Sequence, residues 1–197
     1  MHKPGSRFDA ALAAIDEANS RDPSGKALVY SQRMSEMLER LAPEAPEPVR
    51  LAVRAQHVER WKTPRERYPA GRKGYLEWRN HMYGFHAETV ARLLVQAGCD
   101  AATIESVKTA VAKERLRTDP GAQLLEDVSA LVFLEHYLAE FAAQHLDYAE
   151  TKWLGILGKT WRKMSPRARE FALAGKLKLP AALAPLVMKA AGVSRAS

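Results

Sequence analysis

Residues 124–141 constrain this chain most. Leu124, Leu125, Val128, Leu131, Val132, Phe133, Leu134, Leu138 and Phe141 put apolar side chains on nearly every side of one helix. A helix that is apolar all round is buried on several sides. The rest of the chain must therefore supply the cover. Elsewhere the apolar residues also recur at helical spacing, and no stretch alternates as a half-buried strand would. The expectation is an all-α fold, a compact multi-helix bundle around a central buried helix.

Proline, glycine and capping residues divide the pattern into further helices. The spacing predicts helices over about 6–20, 27–41, 48–61, 74–97, 101–115, 120–143, 146–162 and 166–175, with a short last one near 180–191. Phe8, Leu12, Ile15 and Ala18 share one face of the first. Pro43, Pro46 and Pro48 end the second. Thr63-Pro-Arg-Glu66 reads as a capping box that starts only a short turn, because Tyr68-Pro-Ala-Gly71 stops it. A length of 197 residues, 47% of them hydrophobic, suits a single all-helical domain over 1–197.

The formal net charge of +7 points to an anionic partner: a nucleotide, another anionic small molecule such as a phosphorylated metabolite, or RNA. The charge is concentrated. Arg60, Lys62, Arg65, Arg67, Arg72, Lys73 and Arg79 fall between residues 60 and 79, interleaved with Trp61, Tyr68, Tyr75 and Trp78. Arginine grips phosphate bidentately, and aromatic rings stack on bases. The stretch is either a substrate lid or a solvated loop whose aromatics pin it to the core. No apolar run reaches the roughly 18 residues of a membrane span, so no membrane partner is expected. With Cys99 as the only cysteine and no export signal, the expected location is cytoplasmic.

Three polar residues fall on core faces. Asp127 lies between Leu124, Val128, Leu131 and Leu134 on the helical wheel. A buried carboxylate needs a partner, either a salt bridge or cap bond, or a role as metal ligand or general base. His86 continues the stripe Trp78, Met82, Val90 and Leu93; it is either a satisfied core histidine or a ligand. His57 stands one turn after Val53 and one turn before Trp61. Two imidazoles and a carboxylate from three helices are able to hold one divalent metal ion. His81, His136 and His145 read as solvated surface, and His2 belongs to the terminus.

The order of these segments resembles the HD metal-phosphohydrolase superfamily. Tyr30-Ser-Gln-Arg-Met-Ser-Glu-Met-Leu38 matches the helix that bears that family's first histidine, and Leu51-Ala-Val-Arg-Ala-Gln-His-Val58 matches the helix of the His-Asp pair. His86-Ala-Glu-Thr-Val90, Val107 to Glu114 and Gln123-Leu-Leu-Glu-Asp127 follow in the family's order. The likeness covers an HD-like core of about 27–135, leaving C-terminal helices at about 146–191. Ser31 replaces the first histidine, Val58 the aspartate of the pair, and Lys113-Glu114 the later histidine. The resemblance implies metal-dependent hydrolysis of a nucleotide or other phosphate ester. His57, His86 and Asp127 are the expected metal ligands. Glu59 or Glu114 takes a proton. Arg60, Lys62, Arg65 and Arg79, with Lys113 and Lys163, neutralise the substrate. The alternative is a metal-free pseudoenzyme that binds nucleotide or RNA through the basic loop.

Over nearly its full length the chain also resembles an uncharacterised family, a domain of unknown function. Arg7-Phe-Asp-Ala-Ala-Leu12, Gln56-His-Val-Glu-Arg-Trp61, Gly74-Tyr-Leu-Glu-Trp-Arg79 and Lys159-Thr-Trp-Arg-Lys-Met-Ser165 carry that likeness. Lys163-Met-Ser-Pro-Arg167 is similar to the lysine loop of class I aminoacyl-tRNA synthetases. That loop needs a parallel-sheet nucleotide domain, and this sequence has no βαβ pattern. The string reads instead as a basic turn in which Ser165 caps the next helix.

Overall fold

A computed structural model describes residues 6–114 and 118–192. His2 and the last five residues lie outside these, as do residues 115–117, where the fifth helix was expected to end. The fold is all-helical, with no strand among the described residues. In chain order the helices are α1 (Arg7–Ser20), α2 (Lys26–Leu41), α3 (Glu47–Ala55), α4 (Gly71–Gln96) and α5 (Ala101–Ala112), then α6 (Pro120–Val132), α7 (Leu138–Ala143), α8 (Glu150–Lys163), α9 (Pro166–Phe171) and α10 (Ala184–Ala190). Among the described residues no helix is long and apolar enough to cross a membrane. The chain divides into two compact units, Met1–Leu125 and Glu126–Ser197, with the division inside α6.

In the first unit, local chemistry sets the helix starts. Ser6 caps α1 in a capping box with Asp9. Asp22 accepts from the Ala27 N–H at 2.9 Å and from the Ser24 N–H at 3.0 Å, which shapes the turn into α2. Pro48 occupies the first turn of α3, and Asp100 caps α5 by accepting the Thr103 N–H at 2.8 Å. Ile15, Met34, Met37, Leu51, Val53, Val90, Leu94 and Val107 form the buried interior. The Arg54 guanidinium spans both oxygens of Asp16 at 2.7 Å, tying α3 to α1.

Helix α3 stops at Ala55, short of the expected Trp61. The chain turns at Glu59, whose backbone is left-handed (φ 54°), and continues through short 3-10 turns at Arg60–Lys62 and Arg65–Arg67. This loop folds back on the start of α4. Trp78 Nε1 donates to the Thr63 carbonyl at 2.9 Å. A Cβ on Gly74 would stand 2.0 Å from the Pro69 carbonyl oxygen, so only glycine permits that approach.

In the second unit, a turn of π-helix at Phe133–Tyr137 runs between α6 and α7 without interrupting the helical path. Val128, Leu131, Val132, Leu134 and Leu138 are buried, and Phe133 and Phe141 are half-buried. Asp127, 2% exposed, has a cap bond rather than an open carboxylate. Its two oxygens accept from the Ser165 N–H at 2.7 Å and the Ser165 hydroxyl at 2.5 Å. Ser165 in turn caps α9 by accepting from the Ala168 N–H at 3.3 Å, as expected of the basic turn.

Asp127→Ala leaves the two half-buried donors of Ser165 without this acceptor. Each such loss costs about 1–3 kcal/mol, so the variant is expected to unfold at markedly lower denaturant. Asp127→Asn keeps one acceptor oxygen and is expected to lose less. Equal stability of wild type and Asp127→Ala in urea titrations contradicts this role.

Candidate functional site

The turn after α3 brings His57 against His86 of α4 and Tyr30 of α2. The His57 ring stacks on Tyr30 with centroids 4.7 Å apart, and lies 5.6 Å from the His86 ring. The Tyr30 hydroxyl donates to Gln56 Oε1 at 2.7 Å. Arg60 Nη1 stands 3.0 Å from His57 Nε2. A guanidinium only donates, so His57 Nε2 is the acceptor and the ring proton sits on Nδ1. The Arg60 guanidinium also lies over the Trp78 ring, 4.6 Å from its centroid. Beside this group, Arg79 stacks on Tyr83 at 5.3 Å and donates from Nε to its hydroxyl, and Lys113 Nζ is 5.9 Å from the same ring.

His86 is 2% exposed. Its Nδ1 lies 2.8 Å from the Val58 carbonyl, which only accepts, so the proton is on Nδ1. Nε2 then presents a buried lone pair with no hydrogen-bond partner among the described residues. Burial holds His86 down at about 4, with the Val58 bond opposing and the Arg60 charge assisting. His57 is held well below the usual histidine range, first by burial, then by the charges of Arg60, His86 and Lys113. Both rings are therefore neutral at pH 7. Burial also pushes the Arg60 guanidinium below its ordinary range. Among the described residues Arg60 makes no ion pair with a carboxylate. The net result is a half-buried cation flanked by neutral imidazoles and aromatic faces.

His57 and His86 do come together, within the first unit, whereas Asp127 belongs to the second. Among the described residues no group of three or more His, Cys, Asp and Glu side chains is placed to hold an ion. The Asp127 carboxylate is engaged by Ser165, and Arg60 points a positive charge at His57 Nε2. His57 Nε2 and the Asp127 carboxylate are thus already bonded, and His86 Nε2 has no hydrogen-bond partner among the described residues. The two carboxylates expected to move protons do not join the histidines either. Glu59 pairs with Lys62 at 2.6 Å, lies 4.0 Å from Arg92 and borders a separate cavity. Glu114 is exposed just beyond α5. Neither bonds to an imidazole.

The basic residues separate as well. Lys62 is committed to Glu59. Arg65 spends its donors inside its own loop, on the Tyr68 carbonyl at 2.9 Å, the Pro69 carbonyl at 2.8 Å and the Gly71 carbonyl at 3.2 Å. These bonds fix the loop. Lys163 pairs with Glu126 at 3.2 Å. Arg60, Arg79 and Lys113 remain with the aromatic group. Sequence reasoning assigns no role to Tyr30, Gln56 or Tyr83. Tyr83 stands four positions after Arg79, a spacing that makes helical neighbours and so was readable. Tyr30 and Gln56 meet across 26 positions, which no local pattern reveals.

The histidines make stability depend on pH. A histidine whose folded value lies below its unfolded one stabilises the fold fully above the unfolded value and less as pH falls towards the folded value. For His86 that window runs from 6.5 down to about 4. Full protonation of His86 costs roughly 3 kcal/mol. The urea midpoint is expected to fall between pH 6.5 and pH 5, before most carboxylates titrate. His86→Phe should flatten that slope; an unchanged slope removes His86 as its origin.

No curated protein and no solved structure matches the chain. One family model does, over residues 9–187, and its description is Domain of unknown function (DUF4202). The match spans most of the chain, in line with the full-length likeness of the strings from Arg7 to Ser165. The protein belongs to the DUF4202 family.

Proposed function

We propose that this protein binds a phosphorylated small molecule, preferably a nucleotide, at the Arg60 group without the help of a metal ion. The observation that carries the reading is the Arg60 guanidinium, half-buried on Trp78 and facing no carboxylate among the described residues. Removing such a charge from water costs several kcal/mol unless an anion compensates. A phosphate oxygen pair matches the guanidinium fork, and the contact is strongest where water is excluded. Arg79 and Lys113 add positive potential nearby. Tyr75, 44% exposed and 6.1 Å from Trp78, offers an open ring face on which a base can stack.

Metal-assisted phosphohydrolysis of the HD type is less well supported. It requires a cation beside His57, where Arg60 already directs its charge, and a carboxylate that Asp127 has committed to Ser165. His86 is the one feature in its favour, since a metal-bound histidine also donates its other N–H to a backbone carbonyl. RNA binding along the whole basic loop is weakened by Arg65 and Arg67, which are bonded to carbonyls of the loop itself.

Titration of AMP and pyrophosphate by calorimetry, with chelator present, tests the reading. Binding is expected in wild type, weaker at high salt through screening. Arg60→Ala should reduce affinity by about tenfold or more, and Arg60→Lys should restore it only in part. Equal affinity in wild type and Arg60→Ala, with the fold intact, ends the proposal. Binding that appears only after a divalent metal is added favours the hydrolase instead.

A further inference from the structure

The cavity beside Glu59 belongs neither to the histidine group nor to any motif in the sequence. Its volume is 280 Å³. That is slightly below the usual range for drug-sized ligands, about 300–1,000 Å³, so a small metabolite fits better than a nucleotide. Ala14, Ala18 and Leu93 supply an apolar wall, and Glu59, Arg92 and Gln96 supply the polar groups. At the rim, Glu17 and Arg21 are exposed and paired with each other at 2.6 Å.

Glu59 is the unusual member. It is 4% exposed and sits in left-handed backbone (φ 54°, ψ 23°). Such a conformation is unfavourable for a residue with a Cβ and persists only where the surroundings impose it. Here the side chain of Asn19, 1% exposed, accepts the Glu59 N–H at 3.1 Å. The carboxylate is only half compensated. Lys62 holds Oε1 at 2.6 Å, whereas Arg92 Nη2 is 4.0 Å from Oε2, beyond hydrogen-bonding distance. Among the described residues the Arg92 guanidinium and the Gln96 carboxamide make no hydrogen bond. A nearly buried acceptor, a guanidinium and an amide therefore converge on one cavity, each with capacity to spare.

We propose that this cavity binds a small aliphatic α-amino acid as its zwitterion. The ammonium bonds to Glu59 Oε2, the carboxylate to Arg92 and Gln96, and the side chain lies against Ala14, Ala18 and Leu93. Charge balance selects the zwitterion. A lone carboxylate meets Glu59, and a lone amine meets the positive charges of Lys62 and Arg92. A ligand carrying both satisfies each group and leaves the local charge unchanged. This site is independent of the phosphate reading.

Calorimetry on the full chain with L-valine, L-leucine, 4-methylpentanoate and 3-methylbutylamine tests it. The two analogues are leucine without its ammonium and leucine without its carboxylate. One or both amino acids are expected to bind, with each analogue at least about tenfold weaker than leucine. Glu59→Gln should weaken leucine while sparing 4-methylpentanoate; Arg92→Ala should weaken both. Should Glu59→Gln fail to fold, the analogue series on wild type decides alone. Failure of both amino acids to bind at millimolar concentration overturns the proposal, and so does equal binding of leucine and its analogues.

Discussion

Two backbone groups at the end of α3 are satisfied by side chains, not by a helix. The Val58 carbonyl accepts from His86 of α4, and the Glu59 N–H donates to Asn19 at the end of α1. Val58, Glu59, Asn19 and His86 are all buried, so a backbone group left unpaired there would carry its full desolvation cost. These two bonds hold the chain in its left-handed turn. They also decide what lies on either side of it. His57 and Arg60 meet Tyr30 and Trp78, while Glu59 and Lys62 border the cavity of α1 and α4. Both candidate sites in the first unit depend on this one turn.

Its electrostatic consequence is unequal on the two sides. Around Arg60 the neighbours are imidazoles held neutral by burial, and aromatic rings. Among the described residues no carboxylate pairs with the Arg60 guanidinium. Around Glu59 the groups are of both signs, and the acid is nearly buried while Arg92 stays largely in water. The first environment suits an anion, and the second suits a ligand with charges of both signs. The same physics bears on the reading with a metal ion. A cation needs converging lone pairs, and the histidine pair offers one free lone pair and one ring nitrogen already bonded to a guanidinium.

Several local readings of the sequence correspond to structure because their causes are local. Ser6 and Ser165 cap the helices that follow them, and the apolar pattern of α6 is buried. His86 was legible as a core residue from its stripe, and it is buried. Asp127 was legible as a carboxylate in need of a partner, but the partner, Ser165, stands 38 positions away and was legible only as a helix cap. Arg65 was legible as a charge but not as a brace of its own loop. A run of arginines advertises charge, but its donors are consumed by carbonyls of a loop whose path depends on Gly74 and Trp78.

The sequence by itself determined that the chain is helical, where most helices begin, and which faces turn inward, because spacing, caps and prolines act over one or two turns. It could not determine where α3 ends, because the residue that stabilises the turn, Asn19, lies 40 positions before Glu59. Nor could it decide which polar side chains meet. Helical phase gives a side chain's angle about its own axis, but not the helix it faces, its rotamer, or the donor that reaches it first. Only the tertiary packing placed Arg60 against His57, separated Glu59 from both histidines, and gave Asp127 to Ser165.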